Sequence, residues 1–222
     1  MELHWLGHAC FRIRGKNATI LTDPYRDEIG KLGRPSADIV TVSHEHPGHD
    51  NVGGVAVQAK VLRGPGEYDV RGVAITGVQT AHDAAGGRER GRNVVYSIYV
   101  DDLSICHLGD LGHLPTADQV EAIGRVDVLL LPIGPRARLS PAQALEVVNL
   151  LDPRVVVPMH HRVSARDDDG AALAALCREL GAPAPTAQPR LTLAAEALPE
   201  ERRVVALEVR RAGELTSGAK AA

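Results

Sequence analysis

Three histidines and two carboxylates lie within eight residues of this chain, at 43–50, directly after the strand-like run 38–42. In an extended segment, His44 and His46 point to the same side, so both imidazoles can reach one metal ion. The following Pro-Gly pair turns the chain, and His49 can then face the same ion or a second ion beside it. A solvated loop is the alternative, but His and carboxylate groups at this spacing are typical of metal ligands.

Three further candidate ligands each follow a predicted strand, where a rigid scaffold can present them to a shared cavity. They are His82, Asp110 and His160. Each alone is weak evidence, because polar residues at strand ends are often turn or capping residues. Together with the cluster at 43–50 they indicate a metal site, since tetrahedral zinc needs only three protein ligands plus water, and a carboxylate can bridge two ions. His161 competes with His160 for the last position.

The two halves of the chain have different patterns. In the first half, turn residues bound short strands, predicted at 9–13, 19–22, 39–42, 61–62, 73–78, 94–100 and 103–108. The second half alternates strand and helix. It predicts a helix capped by Thr116, a strand at 126–131, a helix at 141–151, a strand at 155–157, a helix from Asp168 or Asp169 to Leu180, and strands at 191–193 and 204–209.

This order predicts a layered α/β protein, with two sheets face to face and helices outside. We expect a single domain over residues 1–211 and a disordered tail at 212–222. Ligand groups should then lie on loops at one edge of the sheets.

Composition narrows the classes of function. The 222-residue chain is 44% hydrophobic, which is ample for a buried core, and its net charge of -3 gives no general basic surface for nucleic acid. No apolar run approaches the roughly 18–20 residues of a membrane span, and the N-terminus enters a strand pattern, so we expect a soluble cytoplasmic protein. Cys10, Cys106 and Cys177 lie in apolar runs and are expected to be reduced core thiols.

Six segments, taken in order, resemble the motifs of the metallo-β-lactamase-fold superfamily. They are Trp5-Leu6-Gly7-His8-Ala9-Cys10-Phe11, Thr22-Asp23-Pro24, Ser43-His44-Glu45-His46-Pro47-Gly48-His49, Thr80-Ala81-His82-Asp83, His107-Leu108-Gly109-Asp110 and Pro158-Met159-His160. The chain is most similar to a small bacterial group of Zn-dependent hydrolases, which also resembles the ascorbate-6-phosphate lactonase group. The resemblance implies an αββα sandwich of two mixed β-sheets with outer helices, and a centre of one or two metal ions.

The resemblance also implies a role for each candidate ligand. The first ion would be held by His44, His46 and His82, and the second by His49, Asp110 and His160. Asp110 would bridge the two ions, and its position in the motif favours His160 over His161. Asp23 would lie behind the ligands, accepting the free ring N–H of a histidine and fixing its tautomer.

One position departs from the family pattern, which is His-x-His-x-Asp-His. This chain has Gly48 where the aspartate should be. That aspartate ordinarily binds the second metal and orients the attacking water, so its absence puts the second site in question. Asp50, two positions further on, is a candidate replacement and, with Asp110, a candidate catalytic residue.

For other polar residues near the motifs, both a functional and a structural interpretation are open. His8 and His113 would touch substrate or donate a proton, or would be structural, and for His107 the structural reading is favoured. Arg88 and Arg92 lie in a Gly-rich loop that suits recognition of phosphate or carboxylate, with a solvated loop as the alternative. Arg136 and Arg138 could add to the same rim.

Together these features predict a hydrolase in which metal-activated water attacks an ester, lactone or phosphoester bond of a small, anionic substrate. Zinc suits the ligands, in one or two ions, although manganese and iron accept them too. One alternative is a metal-dependent phosphodiesterase or nuclease, and another, because of Gly48, is a non-catalytic metal-binding protein. No membrane partner is expected, and a homo-oligomer stays open.

Overall fold

Runs of β-branched and aliphatic residues form two mixed sheets in the computed structural model, which describes residues 1–161 and 170–215. The first sheet has the order β12 (Leu191–Thr192), β1 (Glu2–Gly7), β2 (Cys10–Arg14), β3 (Thr19–Thr22), β4 (Ile39–Val42) and β5 (Lys60–Arg63). The second has the order β13 (Arg203–Val204), β11 (Val155–Met159), β10 (Val128–Pro132), β9 (Leu103–His107), β8 (Arg92–Val100), β7 (Val73–Ala81) and β6 (Gly66–Val70).

Apolar side chains from both sheets meet in the layer between them. Trp5 and Phe11 from the first sheet, and Tyr96 and Ile98 from the second, are all 0% exposed in one continuous cluster. Burying a side chain of this size stabilises the fold by about 1.5–3 kcal/mol relative to leaving it in water. The packed interface therefore fixes the two sheets relative to each other.

Three helices cover the outer face of the second sheet: α1 (Ala117–Ile123), α2 (Pro141–Leu151) and α3 (Ala171–Glu179). Thr116 and Ser140 begin the first two helices with capping boxes, which satisfy backbone N–H groups that have no partner in the first turn. The pattern of these segments predicts both helix starts correctly. No helix in the described residues is long and apolar enough to cross a membrane.

The outer face of the first sheet is covered differently. In the described residues, irregular chain packs on it, with Tyr25 and Leu32 buried against Leu21 and Val40. Short 3-10 helices at Val52–Gly54 and Ala212–Leu215 accompany this chain; a third lies at Ala195–Ala197. The predicted sandwich of two mixed sheets is confirmed, with its α-helices on one side.

Strand direction brings the candidate ligands together. In the first sheet, β1, β3 and β4 run the same way, because β2 is antiparallel to both β1 and β3 while β4 is parallel to β3. In the second sheet, β7, β9, β10 and β11 likewise share one direction. Their carboxyl ends lie at one edge, where loops are free to carry polar groups.

Three parts of the sequence prediction need correction. The strand predicted at 204–209 is limited to β13, with only isolated bridges at Leu207 and Val209 beyond it. The strand β6 was not predicted, and residues 212–215 are a 3-10 helix whose Ala212 is buried, although they were expected to belong to a disordered tail. Ala212 donates its backbone N–H to the carbonyl of Leu32, which holds this segment against the first sheet. The predicted helix start at Asp168 or Asp169 and the tail from 216 onwards lie outside the described residues, and α3 begins at Ala171.

Candidate metal centre

Four histidines converge on the carboxylate of Asp110 at this edge. Its Oδ1 lies 2.8 Å from Nε2 of His160, and its Oδ2 lies 3.0 Å from Nε2 of His82. The same Oδ2 lies 3.4 Å from Nε2 of His49 and 3.9 Å from Nε2 of His44. The predicted ligands from both halves of the chain are therefore neighbours around one carboxyl group.

The atoms facing one another in this cluster include several without a hydrogen-bond partner among the described residues. They are Nε2 of His44 and His49, while Nε2 of His160 and Oδ1 of Asp110 have only each other, at 2.8 Å. A buried polar atom without a partner costs about 1–3 kcal/mol, so such a cluster needs a further group to satisfy it. Imidazole and carboxylate donors at these separations fit a divalent cation, and this donor set suits zinc.

His46 joins the cluster from its solvent side. It can share an ion with His44 and His49, since ligand atoms of the three lie within 4.8 Å of one another. Unlike the other candidates it is exposed, and its Nδ1 accepts a hydrogen bond of 3.3 Å from the backbone N–H of Gly48. This ring therefore has more freedom to move than the buried ones.

Asp23 holds the ring of His49 from behind. Its Oδ2 lies 2.7 Å from Nδ1 of His49, and its Oδ1 accepts the backbone N–H of Ser43 at 2.7 Å. With Nδ1 of His49 donating to Asp23, Nε2 is the nitrogen that faces Asp110 and would supply its lone pair to a metal ion. This is the role that the motif resemblance implies for Asp23, a carboxylate that orients a ligand histidine.

Ser43 extends the same control to His44. Its hydroxyl donates to Oδ2 of Asp23 at 2.5 Å, so its oxygen is left to accept from Nδ1 of His44 at 3.0 Å. His44 therefore also carries its proton on Nδ1 and directs the Nε2 lone pair into the cluster. This role of Ser43 was not predicted, because a serine beside a histidine cluster matches no recognisable motif by itself.

Charge is concentrated at His49. Burial alone would lower its pKa, but the carboxylates of Asp110 and Asp23 on either side outweigh burial and raise it to about 10. For Asp110, burial would raise the pKa, and His49 and His160 outweigh it and hold the pKa well below its usual range. Burial lowers the pKa of His44 to about 3, which keeps that ring neutral and able to bind a metal. Two carboxylates around one imidazole thus favour a positive charge here, carried by a proton or by a metal ion.

A buried asparagine positions the turn that carries Asp110. The amide of Asn93 donates to the carbonyl of Leu108 at 3.0 Å, and its oxygen accepts the N–H of Asp110 at 2.9 Å. Gly109, between them, has φ 57, and a Cβ there would lie 2.4 Å from the Asn93 side-chain oxygen. Only glycine fits this turn, which is why Asp110 can follow its strand so closely.

The histidine cluster forms the floor of a cleft of about 670 Å³, a size that suits a small molecule. Arg90, Arg136 and Arg138 line its walls, together with Glu28, Glu45 and Glu89. Nε of Arg138 comes within 3.5 Å of Nε2 of His82. Arg88 does not line this cleft, and Arg92 lines the adjoining one.

The remaining predicted residues have other contacts. Asp50 forms an ion pair with exposed Arg26, at 3.4 Å, and does not belong to any described cluster of potential ligands, so it does not fill the gap at Gly48. His113 uses both ring nitrogens on backbone groups, and Nε2 of buried His107 donates to the carbonyl of Ala9. The His161 ring packs on Trp5 at 4.8 Å, so the histidine beside Asp110 is His160.

Comparison with known proteins identifies the family. Residues 2–160 match the model of the β-lactamase superfamily domain. The chain belongs to the β-lactamase superfamily. This confirms the family that the motifs resemble, and the chain is a metal-dependent hydrolase of the metallo-β-lactamase fold.

Individual relatives cover most of the chain. It is 30% identical to a UPF0173 protein of Pyrococcus abyssi, over 72% of this chain and 83% of the relative, and 32% identical to a UPF0173 metal-dependent hydrolase of Methanoculleus marisnigri, over 72% and 81%. A crystal structure of a candidate Zn-dependent hydrolase of the metallo-β-lactamase superfamily from Thermotoga maritima superimposes with a TM-score of 0.73 at 33% identity. That match covers 94% of this chain and 99% of the other.

Proposed function

We propose that this hydrolase uses zinc to cleave an ester, lactone or phosphoester bond of a small, anionic substrate. The observation that carries the proposal is the convergence of His44, His49, His82 and His160 on Asp110 at the floor of an open cleft. A bound divalent cation supplies two things in such a site: it acidifies water and it polarises the substrate oxygen that it contacts.

Asp110 is suited to serve two ions, because its two oxygens face different histidines. Oδ2 faces the side of His44 and His82, and Oδ1 faces His160. We assign His44, His46 and His82 to the first ion, and His49 and His160 to the second, with Asp110 between them. His49 also lies within reach of the first group, so its ring stands at the boundary of the two sites.

The protein prepares these ligands before any ion binds. Asp23 and Ser43 hold the protons of His49 and His44 on Nδ1, so no ring has to change tautomer when the ion arrives. Asn93 fixes the turn of Asp110 through both ends of its amide. Preorganisation of this kind keeps the reorganisation cost low and favours catalysis by electrostatic stabilisation.

An anionic substrate is supported by the cleft walls. Three arginines line it beside three glutamates, so the support comes from guanidinium geometry and not from net charge: a planar guanidinium can bind a carboxylate or phosphate through two parallel hydrogen bonds. Arg88 and Arg92, which the sequence predicted for this role, do not line the cleft. Arg90, Arg136 and Arg138 take that role in this proposal.

Metal analysis coupled to an activity panel tests the proposal. The purified protein is stripped of metal, reloaded separately with zinc, manganese or iron(II), and assayed on a lactone, a phosphodiester and a thioester. We expect zinc to remain bound through gel filtration and to restore hydrolysis of an anionic member of the panel. Asp110→Asn should abolish that activity with an unchanged circular dichroism spectrum, because a neutral amide neither bridges nor balances two cations.

Three results would contradict the proposal in whole or in part. Full activity of Asp110→Asn, with normal folding, would remove the bridging role. Tight metal binding with no hydrolysis of any substrate in the panel would favour the alternative of a non-catalytic metal-binding protein. Activity restored by manganese or iron and not by zinc would change the metal while leaving the ligands in place.

A further inference from the structure

The space beside Gly48 is occupied by the side chain of His8. A Cβ built on Gly48 would lie 2.7 Å from Nε2 of His8 and 3.3 Å from its Cε1. The backbone does not require glycine there, because Gly48 is not among the described residues with positive φ. Glycine at this position is therefore explained by the room that it leaves for an imidazole.

His8 stands among the candidate ligands of the second ion. Its ring centroid lies 4.0 Å from that of His160 and 4.8 Å from that of His49. Each of these three rings offers a nitrogen within 4.8 Å of the others. The arrangement forms a three-histidine face in which His160 lies against Oδ1 of Asp110 and His49 against Oδ2.

The His8 ring is buried at the edge of the cleft that holds the histidine cluster. The residue is 4% exposed, and its Nδ1 has no hydrogen-bond partner among the described residues. This orphaned nitrogen does not by itself mark a ligand, since Nδ1 of buried His107, whose Nε2 donates to Ala9, also lacks a partner among the described residues. What points to a ligand is the place of His8 in the cluster, with Nε2 filling the space beside Gly48. Tyr25, 6.2 Å away between ring centroids, is stacked on His8 without bonding to it.

The backbone holds His8 in a conformation that a side chain rarely adopts. It lies in the turn between β1 and β2 with φ 53. Its carbonyl accepts the indole N–H of Trp5 and the backbone N–H of His160, both at 2.9 Å. Such a φ is unfavourable in a residue other than glycine and is retained where the surroundings impose it, often at functional sites. The bond to His160 fixes the backbones of the two residues relative to each other.

We infer that His8 is a direct ligand of the second metal ion, completing with His49, His160 and Asp110 the site in which Gly48 brings no side chain. This inference rests on the proposed metal centre and adds a ligand to it. An imidazole in place of a carboxylate makes the second site less negative. Such a site favours zinc and similar ions over the harder manganese and magnesium, which prefer oxygen ligands.

Four proteins test the inference: wild type, His8→Ala, Gly48→Asp and the double variant. For each, zinc per chain is measured by mass spectrometry after gel filtration, and zinc affinity by competition with a chromophoric chelator. We expect two ions in wild type and one in His8→Ala, with the second ion bound more than about tenfold more weakly, since even residues behind the ligands contribute that much.

Gly48→Asp should change the affinity for the second ion in opposite directions, depending on whether His8 is present or replaced by alanine. With His8 present, Gly48→Asp should weaken the second ion, because the new Cβ meets the imidazole at 2.7 Å. With His8 replaced by alanine, the same aspartate has room and a vacant ligand position, so the double variant should bind the second ion more tightly than His8→Ala. A steric or purely structural role of His8 does not predict this recovery.

Cobalt(II) supplies a readout that does not depend on activity or on the His8 variants folding well. Gly48→Ala retains His8 but displaces its ring, so the absorption bands of the second cobalt ion should change relative to wild type. Two ions bound in His8→Ala with wild-type affinity, or no recovery in the double variant, would overturn the inference. Absence of metal binding in wild type would overturn the proposed function as well, whereas a second wild-type ion whose affinity does not depend on His8 would overturn the inference alone.

Discussion

The residue that organises the centre is Asp23, although it faces no substrate. It is fully buried, has φ 39, and accepts hydrogen bonds from Ser43 and His49. Burial would raise the pKa of Asp23, but His49 and the Ser43 hydroxyl outweigh burial and lower it. The group therefore stays ionised and keeps the histidine protons on the side away from the metal.

Asp23→Asn should lower zinc affinity about 10- to 100-fold while leaving the ligand set intact. Asp23 accepts through both oxygens, Oδ1 from the backbone N–H of Ser43 and Oδ2 from the Ser43 hydroxyl and His49. An amide has only one accepting oxygen, so one side loses its partner and the two rings lose their fixed tautomers. Asp50→Asn is the matched control, because Asp50 pairs with Arg26 at the surface and should leave affinity unchanged. Equal zinc affinity in Asp23→Asn and wild type, or an equal loss in both variants, would count against this role.

For individual residues, the sequence predicted which side chains lie near the centre better than it predicted the orientations of those side chains. His44, His82, Asp110 and His160 lie where strand-end positions place them, since a strand end fixes the edge of the sheet that a residue occupies. The turn residues are different. His8, Asp23 and His160 have positive φ imposed by tertiary contacts, and Asp50 points to Arg26, so none of these orientations follows from local sequence.

Besides the strands, the loop between β7 and β8 contributes side chains to the cleft. Its glycines suggested flexibility, yet the carboxylate of Asp83 accepts four backbone N–H groups, from Ala85, Gly87, Glu89 and Arg90. The loop is thereby folded around one side chain directly after His82. This order explains why Arg90 lines the cleft while Arg88 does not.

Replacing Arg136 and Arg138 by alanine should raise KM for an anionic substrate by more than about tenfold, which corresponds to about 1.4 kcal/mol. Both follow β10 and line the cleft. Since they bind substrate and reaction intermediates alike, kcat should change little. Arg88→Ala is the control, because exposed Arg88 does not line this cleft. A raised KM in Arg88→Ala alone would instead support the sequence-based assignment to the Gly-rich loop.

Element prediction failed where strands are short and exposed. In β6 only Tyr68 and Val70 are partly buried, and the strand begins with a glycine, so its pattern is like that of a turn. Its pairing with β7 depends on the neighbouring strand and not on its own composition. Longer buried strands such as β8 and β10 carry their own signal, and these were predicted within a few residues.

On the scale of the whole molecule, the centre joins the two sheets. His44 and His49 come from loops of the first sheet, while His82, Asp110 and His160 come from loops of the second. Backbone bonds between the sheets, from His160 to His8 and from Val94 to Ser43, already hold this edge together without metal. An ion bound there therefore cross-links the two layers through residues that are far apart in sequence. Such an ion binds the folded chain in preference to the unfolded one.

Removal of metal should lower the melting temperature without unfolding the protein at 25 °C. The buried clusters between and outside the sheets do not depend on the ion, so the far-ultraviolet circular dichroism of the apoprotein should match that of the loaded form. Free zinc at about 1,000 times its Kd stabilises the native state by about 4 kcal/mol. At about 2–4 °C per kcal/mol for a chain of this size, the melting temperature should rise by about 8–16 °C and depend on zinc concentration. Magnesium at the same concentration should give a much smaller shift, because histidine nitrogens are poor ligands for it. A melting temperature that is independent of zinc would show that the histidines around Asp110 do not hold the sheets together through an ion.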